Sequence, residues 1–167
     1  MSETHDLYEQ RKEKLAALRA EGVNPYPSRY EVSHGIGSLV QQFADAAAEE
    51  LAAATERFAL AGRLMAKRLM GKTCFGHMRD RSGSVQIYLR LDTLGEDIFQ
   101  RVKRLDVGDF VGCRGALFKT RTGELTLAVE SIELLSKALR PLPEKWHGLR
   151  DVETRYRQRY LDLIMNP

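Results

Sequence analysis

Thr73-Cys74-Phe75-Gly76-His77-Met78-Arg79, Asp80-Arg81-Ser82-Gly83 and Ser84-Val85-Gln86-Ile87-Tyr88-Leu89-Arg90 are the stretch on which the fold turns. Val85, Ile87 and Leu89 alternate with Gln86, Tyr88 and Arg90. That period of two marks a strand with one buried face, because successive strand side chains point to opposite sides. Asp80 to Gly83 is a turn signal, and Thr73 to Arg79 before it lacks a helical period. Phe58 to Met70 lacks one too, and Gly71-Lys72 leaves no room for a helix between these first two segments. Downstream, Leu94 to Leu105 reads as a helix with Leu94, Ile98, Phe99, Val102 and Leu105 apolar. Val107-Gly108-Asp109 turns into a fourth strand over Phe110 to Thr120. Thr122-Gly123-Glu124 turns again into a fifth over Leu125 to Leu135. Three strands, a helix and two strands is the order of a five-stranded OB-fold β-barrel. A ferredoxin-like α+β domain is the alternative, but it needs a helix between its first two strands.

Helices precede the barrel. Asp6 to Glu21 reads as one, with Asp6 as its cap, a partial apolar stripe of Leu7, Leu15 and Leu18, and Gly22 at its C-terminal stop. Asn24-Pro25-Tyr26-Pro27 is an extended strap. Ser38 to Ala54 reads as one or two short helices divided near Asp45. After the barrel, Leu139-Arg140-Pro141-Leu142-Pro143 is a stiff linker. Asp151 to Ile164 reads as a helix with Tyr156, Tyr160, Leu163 and Ile164 on one side. The expected organisation is a helical appendage over 1–56, the barrel over 57–137, and a linker with a first helix over 138–167. Trp146 and His147 in the linker are read as packing residues.

Composition narrows the function. The chain of 167 residues carries 43% hydrophobic and 29% charged residues, an ordinary globular balance, with a net charge of +3. The positive charge is concentrated: Arg57, Arg63, Lys67, Arg68, Lys72, Arg79 and Arg81 face only Asp80. Such a run suits a phosphate backbone, and it equally suits a solvated face. Cys74 and Cys113 lie far apart in apolar runs, which reads as buried hydrophobes and not as a zinc site or a disulfide framework. Met1 to Gln10 is polar, unlike a signal peptide, and no run approaches the ~18 apolar residues of a membrane span. The chain is expected to be cytoplasmic and to hold no metal. No phosphate loop, carboxylate pair or Ser/His/Asp set stands out, and Gly35-Ile36-Gly37 does not follow a strand.

An OB barrel binds single strands on the face of its first three strands, using rings for stacking, cations for phosphates and amides for base edges. All three residue types fall there. Arg68 ends the first strand, Phe75 opens the second and Gln86 lies on the third. With Val85, Ile87 and Leu89 inward, Gln86 and Tyr88 face out, and on the second strand so do Phe75, His77 and Arg79. Phe75 outward suits a stacking platform, or it lies beneath a helix. The Gln86 amide carries a donor and an acceptor, which can match the mixed edge of a uracil, or it is a solvated strand residue. Glu124 stands in a loop that OB-folds use for ligands, where it could accept from a base N–H or simply complete a turn. His77 could stack or be structural, and Lys67 and Lys72 add charge without base discrimination.

Several strings in order along nearly the whole chain resemble the N-terminal region of class II lysyl-tRNA synthetases. They are Arg11-Lys12-Glu13-Lys14-Leu15, Gly62-Arg63-Leu64-Met65, Arg68-Leu69-Met70-Gly71-Lys72, Gln86-Ile87-Tyr88, Leu117-Phe118-Lys119-Thr120 with Thr122-Gly123-Glu124-Leu125, and Ser136 to Pro143. Arg155 to Leu163 resembles the segment leading into that family's catalytic domain. The resemblance implies an OB barrel that binds a uridine-rich anticodon, with Phe75 as the stacking ring, Arg68 and Gln86 on the central base and Glu124 on a neighbour. Lys67 stands where many members carry a second Arg, which would lose a bidentate fork. It also implies that the parent enzyme attaches lysine to tRNA with ATP and magnesium, as a homodimer. The three signature motifs for those substrates would follow Pro167. The 167 residues alone are therefore expected to be monomeric, without cofactor and without ligase activity. A free-standing single-strand or tRNA-binding OB module, and an interaction domain with no RNA role, are the alternatives.

Overall fold

A computed structural model describes residues 3–143 and 151–166. Trp146 and His147 lie outside the described residues. Five strands, β1 (Phe58–Met70), β2 (Thr73–Arg79), β3 (Ser84–Arg90), β4 (Phe110–Lys119) and β5 (Leu125–Ser136), close into a barrel in the order β1-β2-β3-β5-β4. All pairings are antiparallel except β3 with β5, where Gln86 stands opposite Thr126 and Leu89 opposite Val129. The alternation behaves as the sequence requires: Val85, Ile87 and Leu89 are buried with Cys74, Met78, Leu117 and Leu127 in one core. Cys74 and Cys113 are free thiols inside that core.

The helix between β3 and β4 is two helices. α4 (Leu91–Leu94) and α5 (Glu96–Arg104) meet at Gly95, whose φ of 80° is open to glycine and strained for other residues. Leu94, Phe99 and Val102 still bury themselves, so the apolar spacing survives the break. Before the barrel, α1 (Glu3–Ala20) starts three residues ahead of Asp6, which places that carboxylate within the first turns, where the helix dipole favours it, and not at the cap. At its other end Gly22 N–H reaches Arg19 O at 3.0 Å and Val23 N–H reaches Leu18 O at 2.9 Å, closing the helix at the glycine. α2 (Ile36–Gln42) and α3 (Ala48–Ala53) are separate helices on either side of Asp45. The C-terminal segment is also divided, into α6 (Val152–Arg157) and α7 (Arg159–Met165), with Arg155 bonded to Asp162 across the break and Arg159 bonded to the same carboxylate within α7. Tyr156, Tyr160 and Leu163 are exposed on it.

α1 docks through only part of its leucine stripe: Leu18 is buried and Leu15 half-buried, but Leu7 is exposed. Polar side chains supply further anchors. Arg11 donates to the carbonyls of Val107, Ala138 and Arg140, and Lys14 pairs with Asp106. Lys137, following β5, is buried against Asp109 at 2.9 Å and Asp106 at 2.6 Å. Asp109 also accepts from the backbone N–H groups of Asp106 and Ala138 at 2.8 Å each. This latch ties α1, the start of β4 and the end of β5 together.

Candidate nucleic-acid interface

The site is built by a bulge. β1 pairs with β2 as Leu64 with Met78, then Ala66 with His77, so Met65 is the extra residue. An extra residue exchanges the two faces of everything beyond it. Before the bulge the even-numbered residues Phe58, Leu60 and Leu64 point into the barrel; after it Arg68 comes to the outer face, directly opposite Phe75. Lys67 turns the other way. Its ammonium donates to the carbonyls of Val102, Lys103 and Leu105 at the C-terminus of α5, and burial pulls it below the ordinary lysine range. Lys67 therefore lines the cleft with its stem while its charge caps a helix.

Phe75 is half-buried on the outer face. Its ring stacks on Tyr88 with centroids 4.5 Å apart and planes at 28°, and Tyr88 in turn meets Phe118 at 5.9 Å. Tyr88 thus backs the ring from the neighbouring strand, and Phe118 supports Tyr88 in turn. Arg68, Phe75, His77, Gln86 and Glu124 converge on one open cleft of about 480 Å³. Arg68 is exposed and has no acidic partner among the described residues. Lys72 is exposed on the β1–β2 turn and does not line the cleft.

The polar edge of the cleft is one connected chain. Gly123, with φ of 83°, turns the β4–β5 loop and leads into Glu124, whose N–H is accepted by Thr120 Oγ1 at 3.1 Å. One Glu124 oxygen meets His77 Nε2 at 3.0 Å and the other accepts from Gln86 Nε2 at 2.9 Å. Gln86 Oε1 accepts from the Thr126 hydroxyl at 2.8 Å. Every member except Thr126 is partly exposed, so each keeps hydrogen-bonding capacity towards the cleft. The donors and acceptors suit base edges, the ring suits a base face and Arg68 suits a phosphate or a carbonyl-rich edge.

Sequence reading named six residues of this cleft, Lys67 and His77 beside Arg68, Phe75, Gln86 and Glu124, and missed three of its supports. Tyr88 was not recognised as the backing of Phe75, nor Phe118 as the support of Tyr88, although strand alternation puts Tyr88 on the same face as Gln86. Thr126 was passed over as an ordinary strand residue. Its alternation with Leu125 and Leu127 carries the signal that it faces out beside Gln86. The basic run also divides. Arg57 pairs with Glu130 at 2.7 Å, and Arg63 lies 4.3 Å over the Phe110 ring and donates to Gly108 O. Those two cations, like Lys67, serve the barrel itself.

Residues 58–135 match the tRNA anti-codon family, an OB-fold nucleic acid binding domain. Over 163 residues the chain is 48% identical to the lysine–tRNA ligase of Pelotomaculum thermopropionicum, covering 98% of this chain and 31% of that protein. It is 49% identical over 166 residues to the lysine–tRNA ligase of Streptococcus mutans, covering 98% and 34%, and 46% identical over 165 residues to that of Bacillus subtilis, covering 99% and 33%. The chain spans about a third of the length of these curated relatives. A closed five-stranded barrel whose outer face gathers a ring, a guanidinium and an oriented amide agrees with the OB-fold nucleic acid binding match over residues 58–135, in a chain that is similar along nearly its whole length to about a third of the length of lysine–tRNA ligases.

Proposed function

We propose that the outer face of β1–β3, with the β4–β5 turn, binds the anticodon loop of a tRNA whose anticodon is rich in uridine. The observation that carries this is the meeting of Arg68, Phe75, Gln86 and Glu124 on one cleft, from strands and a turn that are far apart in sequence. Phe75 supplies a stacking surface for one base, held stiff by Tyr88. Stacking on an aromatic ring is sequence-tolerant, because every base has a π face. Discrimination falls to Gln86 and Arg68 on the central base and to Glu124 beside them. His77 meets Glu124, and Lys72 adds charge near the entrance of the loop. We assign the joining of lysine to that tRNA, with ATP and magnesium in a class II catalytic domain and as a cytoplasmic homodimer, to the whole protein. No residue described above is given a part in that chemistry. Among the described residues no helix is long and apolar enough to cross a membrane.

The test is a binding titration of a uridine-rich anticodon stem-loop across salt concentration. A backbone-tracking site loses affinity with a log–log slope of about −0.7 per phosphate contact on a single strand. The expected result is a steep slope with preference for the uridine-rich loop over a loop of the same length without uridine. A flat, salt-insensitive titration with no preference would assign the barrel to protein interaction and end the RNA reading.

A further inference from the structure

We propose that Glu124 and the buried Thr126 form an orientation lock on the Gln86 amide, and that the lock sets the preference for uridine over cytidine. The inference rests on the anticodon reading above, with Gln86 as a base reader.

A glutamine amide presents one donor and one acceptor, and a half turn about its last side-chain bond exchanges them. Uracil offers an acceptor next to the N3–H donor. Cytosine offers the amino donor next to the N3 acceptor. A freely turning glutamine can therefore make two hydrogen bonds to either pyrimidine, and its presence alone discriminates little.

The Gln86 amide is not free to turn. Its Nε2 donates to Glu124 Oε2 at 2.9 Å. An ionised carboxylate only accepts, so the amide nitrogen and not the oxygen must face it. The amide oxygen accepts from Thr126 Oγ1 at 2.8 Å. Thr126 stands opposite Gln86 in the parallel β3–β5 register and opposite Phe118 on its other side, and it is fully buried at 0% exposure although it shares the outer face. That hydroxyl has one proton to give, and the Glu124 carbonyl at 3.1 Å is the more distant of its two acceptors, so the proton goes mainly to Gln86 Oε1. Glu124 is itself held, by His77 on its other oxygen and by Thr120 on its N–H. One N–H of Nε2 and one lone pair of Oε1 then remain for the cleft, in a fixed order. A base fixed by stacking meets that order as a match, or as N–H against N–H and oxygen against oxygen. Glu124 sets the sense of the amide. Thr126 is a positioning residue that holds the oxygen without touching RNA.

The experiment measures affinity for two anticodon stem-loops that differ only in uridine or cytidine at the central position, with thermal unfolding of each variant. Glutamine at position 124 can face Gln86 with either end of its amide, so Glu124→Gln releases the sense. The cytidine loop should then bind more tightly than to the unmodified protein while the uridine loop weakens slightly, and the preference should fall by about tenfold. Thr126→Val, isosteric but without the hydroxyl, should lower the preference about three- to tenfold, and Thr126→Ser should restore it. If Thr126→Val melts early, Glu124→Gln carries the test. Gln86→Ala is the check on the underlying reading: an unchanged preference there means that Gln86 reads no base. If Gln86→Ala abolishes the preference while Glu124→Gln and Thr126→Val keep it, the lock is wrong and the anticodon reading stands. A Glu124→Gln protein that weakens both loops equally, or loses uridine affinity with no gain for cytidine, also overturns the lock.

Discussion

Two polar clusters sit at opposite ends of the β4–β5 hairpin, each built around a carboxylate, and act to contrary effect. At the end where β4 begins, Lys137 and Asp109 are almost wholly removed from water, with side-chain exposures of 1% and 0%. Every donor and acceptor there is satisfied within the protein. At the turn end, His77 and Glu124 are 42% and 44% exposed, and their bonds to each other and to Gln86 leave capacity facing the cleft. A buried charge is costly unless fully paired, so the first cluster fixes how three segments dock and offers a ligand nothing. The second contributes little to stability, since exposed pairs are screened by water, and it is available for recognition. The contrast separates polar residues that make the fold from polar residues that make the site.

The sharpest way to break this comparison is to remove one partner from each cluster. Asp109→Ala takes from the buried Lys137 ammonium its one fully buried counter-ion and orphans two backbone N–H groups, and it should cost about 3–5 kcal/mol in urea unfolding. Glu124→Ala should cost no more than about 1 kcal/mol, because its pairs are half-exposed. Equal losses would mean that the turn-end cluster is also a structural lock.

Acid should act on the latch through Asp106. Burial pushes the Asp106 carboxyl up, but hydrogen bonds and charge from Lys137 and Lys14 outweigh it, so the folded group sits below its ordinary value. A carboxyl depressed in the folded state contributes stability that is whole above its unfolded value of about 3.9 and is lost as pH falls through the folded one. Unfolding free energy should therefore drop below about pH 4, and Asp106→Asn should start lower at pH 7 and fall less steeply with acid. An identical acid dependence in the variant would remove Asp106 from the latch.

Much of the barrel was legible because alternation is a local signal. The faces of β3, the turn at Asp80–Gly83 and the β4–β5 hairpin follow from neighbouring residues, and so did the outward placement of Phe75 and Gln86. The remainder depends on contacts between distant segments. Leu64-Met65 reads as an unbroken apolar run, so the bulge that puts Arg68 and not Lys67 beside Phe75 has no signature in composition. The latch joins α1 to residues beyond position 100, and the partial apolar stripe of that helix gives no sign that Arg11 and Lys14 anchor it.

The two lysines of the basic run sharpen the same distinction at lower amplitude. Lys67→Met removes the ammonium from three carbonyls at the end of α5 and should cost roughly 1 kcal/mol of stability while leaving the salt slope of RNA binding unchanged. Lys72→Ala should leave stability within about 0.5 kcal/mol and flatten the slope by about 0.7 if Lys72 meets a phosphate. The reverse pattern would show that the bulge does not sort these cations as described.

The most direct test of the account is Phe75→Ala, measured by binding of the uridine-rich stem-loop and by thermal unfolding of the same sample. A half-buried ring that serves as a stacking platform predicts an affinity loss of roughly 1–3 kcal/mol with a melting transition close to that of the unmodified protein. A ring that serves the core predicts the opposite: early melting, at a cost of about 3–5 kcal/mol, with normal affinity in the fraction that remains folded. That second result would contradict the assignment of this face as the anticodon site.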